Sequence, residues 1–220
     1  MGDRHVKERL FEQFAAVGKA LANPKRLELL DLLAQGERSV EALAAAAGLG
    51  LTTTSANLQT LRSAGLVTTR REKTKVFYSL SGPDVAALFA DLRTVAQAHL
   101  AETERARLAY LGGDVEEVPR EELLRRAETG DVVVLDVRPV EEYAAGHIPG
   151  AVSVPVDELA ARLADLPADT EVVAYCRGAY CVFAHDAVRL LLSQGRRARK
   201  LVDGMLEWQR AGLPVTSSAA

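Results

Sequence analysis

The sequence predicts two compact domains: an α-rich domain that includes a β-hairpin, followed by an α/β domain on a mainly parallel sheet. Three observations predict this. Helical periodicity dominates up to about Tyr110, a short polar Gly-bearing stretch follows at Leu111 to Glu117, and apolar runs of buried-strand character appear only after it. The expected boundaries are 1–111 and 118–215. A length of 220 residues, 48% hydrophobic and 26% charged, is enough for two cores and excludes a mainly disordered chain. No apolar run approaches the roughly 18 residues of a membrane span, so no membrane partner is expected and the predicted location is cytoplasmic. Only two cysteines occur, Cys176 and Cys181, too few for a disulfide scaffold.

The helices of the first half are punctuated by cap signals. Leu10, Phe14, Val17 and Leu21 recur at helical spacing, then Asn23 caps and Pro24 opens a second helix carrying Leu27, Leu30 and Leu33, stopped by Gly36. Ser39 starts a short helix, Val40 to Ala47; Gly48 and a brief turn lead into another, Thr52 to Ala64. Two short helices joined by a Gly-bearing turn have helix-turn-helix spacing. In the second, Thr54, Leu58 and Leu61 share the inward face, which leaves Thr52, Thr53, Ser55, Asn57, Gln59 and Arg62 outside it. Such polar side chains reach base edges from a helix lying in the major groove. After Gly65 the alternation at Leu66 to Arg71 and Lys75 to Leu80 predicts a hairpin wing, with Arg70, Arg71, Lys73 and Lys75 placed to track phosphates. Charge agrees: residues 1–111 hold 15 basic and 12 acidic side chains, the remainder 12 and 18.

The stretch Leu27 to Leu80 resembles the ArsR family of winged helix-turn-helix repressors, most closely in Asn23-Pro24-Lys25-Arg26-Leu27 and in Leu61-Arg62-Ser63-Ala64-Gly65-Leu66-Val67. The resemblance implies a homodimer built from the first helix and a long helix after the wing, here Pro83 to about Leu108, with the apolar stripe Val85, Leu88, Phe89, Leu92, Val95 and Ala96. A symmetric dimer implies double-stranded DNA with a palindromic operator as partner. Many members sense metals, but Glu37 to Ala47 has no Cys and His99 with Glu102 stands alone, so neither a metal nor a cofactor is expected.

In the second half, Asp131 to Leu135 and Glu171 to Tyr175 read as strands buried on both faces, with helical segments at Pro139 to Ala145 and Val156 to Leu166 between them. The second strand runs into Cys176-Arg177-Gly178-Ala179-Tyr180-Cys181 and then a helix. In such a loop converging amides and a helix dipole favour a thiolate at Cys176, and Gly178 lets the chain curl inward. Two chemistries use an anion cradle around a thiolate: phosphate-ester hydrolysis and sulfane-sulfur transfer. A cysteine phosphatase needs an arginine six positions after its cysteine, where this chain has Val182, so the loop suits a persulfide or the terminal sulfur of thiosulfate better.

The segment Val118 to Leu213 resembles a single-domain rhodanese. The likeness lies in Leu135-Asp136-Val137-Arg138 with Glu142-Tyr143, in Gly146 to Ala151, in the Cys176 loop, and in Asp203-Gly204-Met205 with Trp208. It implies Cys176 as the catalytic sulfur acceptor, Arg177, Gly178, Ala179, Tyr180 and Cys181 as the loop whose amides surround the persulfide, and Asp136 and Arg138 as a structural pair nearby. Cys181 departs from the commoner Ser, Thr or Arg. It is either a small buried hydrophobe or a thiol that attacks sulfur carried by Cys176. His147, His5 and His185 read as packing or surface residues.

The two halves together suggest a repressor whose affinity for its operator follows the sulfur or redox state of Cys176, with a sulfur donor such as thiosulfate or a persulfide as partner. The alternative is a thiosulfate or persulfide sulfurtransferase whose DNA-binding half only autoregulates. A passive rhodanese-fold interaction module is a third reading.

Overall fold

The computed structural model describes residues 3–217, so Met1 and Gly2 of the first expected domain lie outside the described residues. The chain falls into two compact units, the first ending at Asp91 and the second starting at Leu92.

The first unit begins with α1 (Arg4–Leu21) and α2 (Pro24–Leu33). The Asn23 side chain accepts from the Arg26 amide and Pro24 occupies the first helical turn, while the Arg26 guanidinium donates to the Ala20 and Lys19 carbonyls at the end of α1. That is the physical content of the Asn-Pro-Lys-Arg motif: one residue starts α2 and another closes α1. A two-residue strand β1 (Arg38–Ser39) precedes α3 (Val40–Ala46), whose first turn Ser39 caps at Ala42. Then comes α4 (Leu51–Ser63), ended by Gly65 at φ 74, a left-handed position that glycine takes without strain. The wing follows as β2 (Val67–Glu72) and β3 (Lys75–Leu80), antiparallel with Glu72 opposite Lys75, and β1 adds to the far edge of β3. Leu29, Leu30, Leu33, Leu43, Leu58 and Leu61 fill the core beneath α4.

The division between units falls within α5 (Pro83–His99), which is followed by α6 (Ala101–Leu111). One helix from Pro83 to about Leu108 was expected. It breaks because Leu100 takes an extended conformation, while the Thr103 amide bonds the Leu100 carbonyl and the Thr103 hydroxyl donates to Ala96 O.

The rest of the second unit is β4 (Glu117–Val118), α7 (Arg120–Glu128), β5 (Val132–Asp136), α8 (Val140–Ala145), β6 (Val152–Ser153), β7 (Glu171–Tyr175), α9 (Val182–Ser193), β8 (Ala198–Leu201) and α10 (Met205–Arg210). The sheet is parallel throughout, in the order β4-β8-β7-β5-β6. Alternate residues of β7 enter different cores, Val172 and Ala174 with α9, Val173 and Tyr175 with Met205 and Trp208 of α10. Burial on both faces is why this run is apolar without alternation. The expected helix Val156 to Leu166 is instead a series of turns with a short 3-10 stretch, Leu163–Asp165. There the Arg196 guanidinium binds the Leu163, Leu166 and Pro167 carbonyls, oxygens that face out of any continuing helix.

Candidate functional sites: a helix-wing surface and a two-cysteine loop

In the first unit, α4 presents Thr52, Thr53, Gln59 and Arg62 as exposed side chains, with Ser55 and Asn57 half-buried and Thr54, Leu58 and Leu61 buried beneath them. Two of the polar residues are partly committed. The Asn57 amide donates to Thr53 O at 2.9 Å, and the Gln59 amide donates to the Tyr78 hydroxyl of β3 at 3.1 Å. A groove of about 230 Å³ between helix and wing is lined by Ser55, Gln59, Arg62, Thr69 and Arg71, among others.

The wing arginines differ sharply. Arg70 lies 2.6 Å from Glu37 and 2.7 Å from Glu72, and its guanidinium stacks on Phe77, so two carboxylates hold its charge and raise its pKa. Arg71, Lys73 and Lys75 are exposed. Lys73 sits at the hairpin tip with φ 54, which turns the chain between the two strands.

In the second unit, Cys176 directly follows β7 and Cys181 is the N-cap of α9. The loop between them is pinned from α10: the Met205 amide donates to Cys176 O and the Leu206 amide to Arg177 O, both at 3.0 Å. This contact needs Gly204, since a Cβ there would lie 2.3 Å from Gly178 N and 2.6 Å from Cys176 O. At Gly178 itself the nearest atoms a Cβ would meet are the side-chain ends of Arg93 and Glu207, at 3.2 to 3.3 Å.

Charged pairs surround the loop. Arg177 binds Glu142 at 2.7 Å, the carboxylate being buried, and stacks on Phe183. Arg93 of α5 binds Glu207 at 3.0 Å and lies over the Tyr180 ring at 4.6 Å. Glu207 also accepts from the Gly204 amide. Beneath the sheet end, Asp136 and Arg138 are both buried and paired at 2.6 Å; Arg138 reaches Gly146 O and Tyr175 donates its hydroxyl to Asp136. His147 is buried, stacked on Tyr143 and bonded to its carbonyl.

The two sulfurs are close neighbours, Cys176 buried and Cys181 half-buried. Cys176 is 2% exposed, and its Sγ lies 3.4 Å from Cys181 O and 3.8 Å from Gly178 O as a donor. Burial pushes its thiol well above the usual cysteine range, and a hydrogen bond to the Cys181 side chain adds to the shift. That same bond lowers the Cys181 thiol, helped by the Phe183 and Arg177 amides. Backbone donors approach both sulfurs, Ala184 of the first turn of α9 reaching Cys176, and Phe183 and Arg177 reaching Cys181. His185 lies under the loop, 3.4 Å from Cys181 O, its pKa lowered by burial and by Lys200.

Sequence reasoning missed the roles of Glu142, Gly204 and Glu207 as supports and that of Arg93 altogether. Glu142 and Gly204 stand in the quoted rhodanese pieces, a usable signal. Nothing local marks Arg93, which lies far from the loop in sequence.

Comparison with known proteins agrees with this layout. Over 218 residues the chain is 57% identical to an HTH-type transcriptional regulator of Mycobacterium tuberculosis, spanning 99% of this chain and 96% of the relative. The chain belongs to that family of transcription regulators. Its members of this architecture join an ArsR-type winged helix-turn-helix to a C-terminal rhodanese domain. In this regulator, residues 21–70 match the helix-turn-helix domain family and residues 119–211 the rhodanese-like domain family. Its second half is 36% identical over 105 residues to a sulfurtransferase of Allochromatium vinosum, 47% of this chain and 96% of that protein. A solution structure from Mycobacterium bovis, described as a homodimeric winged helix-turn-helix DNA-binding domain, is 58% identical and covers 46% of this chain and 93% of its own, with a TM-score of 0.43. No helix among the described residues is long and apolar enough to cross a membrane.

Proposed function

We propose that this transcription regulator binds a palindromic operator as a homodimer, and that sulfur or redox chemistry in the Cys176 loop sets its affinity for DNA. One observation carries the reading: two free cysteines share a loop at the end of the central strand, and the side chain covering that loop, Arg93, belongs to the helix that leaves the wing. A change in the loop that displaces Tyr180 also displaces Arg93. The dimer is supported by Val6, Leu10, Phe11 and Phe14 on α1, all more than half exposed, apolar surface that a second copy would bury. The sulfur donor is of the thiosulfate or persulfide class.

The test uses duplex DNA selected by the full-length protein from a random pool, with affinity measured before and after glutathione persulfide. A shift of about tenfold, reversed by dithiothreitol, is expected. An unchanged affinity in protein whose loop has reacted ends the regulatory reading. Replacing Arg93 by Ala should leave the reaction intact and abolish the shift in affinity.

A second reading, a thiosulfate or persulfide sulfurtransferase, is favoured by the identity of this half to a sulfurtransferase. Transfer of sulfane sulfur that survives replacement of both cysteines overturns it.

A further inference from the structure

We propose that Lys200, buried on the α9 side of the sheet, is a positioning residue for the loop: its cation holds negative charge on the Cys176 sulfur and so lets a buried cysteine accept sulfane sulfur. The inference rests on the reading of the loop as a sulfur-accepting site and names the cation that serves it. Parallel pairing sets Val172 against Ala198 and Ala174 against Lys200. Because side chains alternate between faces, Lys200 lies with Val172, Ala174 and Cys176 on the face covered by α9. Cys176 stands two residues beyond Ala174, so with strands about 4.8 Å apart and a rise of about 3.3 Å per residue its Cα falls roughly 8 Å from that of Lys200. The lysine side chain closes on that end of the sheet. Its Nζ donates to Leu201 O at 2.9 Å and Val202 O at 3.4 Å, and meets Glu117 of β4 at 3.0 Å. Three acceptors around one nitrogen are the complement of an ammonium, which has three donors.

The other cations around the loop meet carboxylates placed beside them. Arg138 pairs with Asp136 and Arg177 with Glu142, both carboxylates being at most 1% exposed, and the Tyr175 hydroxyl also goes to Asp136. Arg93 pairs with Glu207 over the Tyr180 ring. Lys200 differs, because it is 2% exposed while the Glu117 side chain is 38% exposed, so water screens the anion and not the cation. The interior on the α9 face, with Cys176, Cys181 and His185, therefore receives a net positive field. Burial raises the Cys176 thiol, and the Ala184 amide and Lys200 act against that rise. Burial lowers the His185 imidazole and Lys200 lowers it further, so two separate groups feel the same charge.

The step that this charge serves balances with a persulfide, RS–SH, as donor. The Cys176 thiolate attacks the outer sulfur; a new S–S bond forms, the donor S–S bond breaks, and RS⁻ leaves to be protonated by water as RSH. Cys176 then carries –S–SH, whose deprotonated form again places negative charge in the loop. With all three of its donors taken, Lys200 touches neither reactant and acts through its field alone.

Trypsin cuts after Arg177 and so reads the two cysteines on different peptides. Full-length wild type, Lys200→Met and Glu117→Gln are labelled with limiting iodoacetamide from about pH 7 to about pH 10. At about pH 8 Cys176 should label about fivefold more slowly in Lys200→Met, and about twofold faster in Glu117→Gln, which leaves the ammonium without its carboxylate; both differences should shrink as pH rises. A lysine that only packs would move both variants the same way, and that outcome, like unchanged rates, overturns the assignment. Glu117→Gln keeps the lysine in place and decides alone where Lys200→Met does not fold. The His185 imidazole, followed by NMR and identified by its loss in His185→Gln, gives a reading that needs no reaction at sulfur. Its titration should move up by about half a unit in Lys200→Met, and an unmoved or lower midpoint contradicts the proposal. Glutathione persulfide separates the two inferences: wild type should gain about 32 Da on the Cys176 peptide, and Lys200→Met should gain it several-fold more slowly. No gain in wild type ends the sulfur-accepting reading, while the iodoacetamide rates still decide the role of Lys200; gain at equal rates in both chains overturns the role of Lys200 alone.

Discussion

The helix-wing surface and the cysteine loop solve different physical problems. On α4 and the wing, side chains stand out from rigid elements into solvent, and most of them act singly. In the loop, backbone carbonyls, two sulfurs, two Arg-carboxylate pairs and the Gly204 contact depend on one another. Changes on the surface should therefore be small and additive, whereas changes around the loop should be large and coupled.

The largest expected effect is at Gly204. Its Cβ would meet the backbone at Gly178 and Cys176, not a side chain that can rotate away, so Gly204→Ala should destabilise the second unit by about 3 kcal/mol. Denaturant unfolding of the full chain checks this, and an unchanged midpoint would show that the loop and α10 are not packed as described.

Two arginine-carboxylate pairs sharpen the comparison. Glu142 is 1% and Arg177 13% exposed in side chain, so Glu142→Gln leaves a poorly solvated cation and should cost about 3 kcal/mol. Arg70 is 52% exposed where it meets Glu37, and Glu37→Gln should leave the unfolding midpoint nearly unchanged. Equal losses in the two variants would break the distinction between the regions.

On DNA, Arg71→Ala should weaken binding by about 1 kcal/mol and reduce the salt dependence by roughly one phosphate contact. Arg70→Ala should do less, because Glu37 and Glu72 already hold that charge. Titration of operator binding against salt separates them.

The smallest effect is a pH dependence. The pKa of His185 falls below its ordinary 6.5 on folding, so between those two values the unfolded chain binds a proton that the folded chain does not. The stability contributed by neutral His185 is complete above about pH 6.5 and is lost as pH falls toward the folded value. Replacement by Gln should flatten that slope in unfolding measurements.

How much of this was legible follows the same division. The Asn23 cap, Pro24, the Gly65 stop and the alternating wing are local signals, and the first unit is built from them. The β7 run and the loop after it are equally local. The break at Leu100 was hidden because it depends on a threonine side chain competing for backbone bonds, with no Gly or Pro to mark it. The turns at 156–166 depend on Arg196, far along the chain. The strands β4 and β6, two residues each, are too short for any period to register. The loop sequence names both cysteines, but how they share the surrounding amides depends on where α9 begins and how α10 seals the strand end, which no local pattern records.

The central claim is that the state of this loop is read at the DNA surface. Its most direct test is operator affinity by fluorescence anisotropy, with the sulfur content of the same sample fixed by mass spectrometry, for wild type and for a variant lacking both cysteines. The account predicts an affinity shift of about tenfold in persulfide-treated wild type and none in the variant. Equal affinities for fully converted and untreated wild type would contradict it.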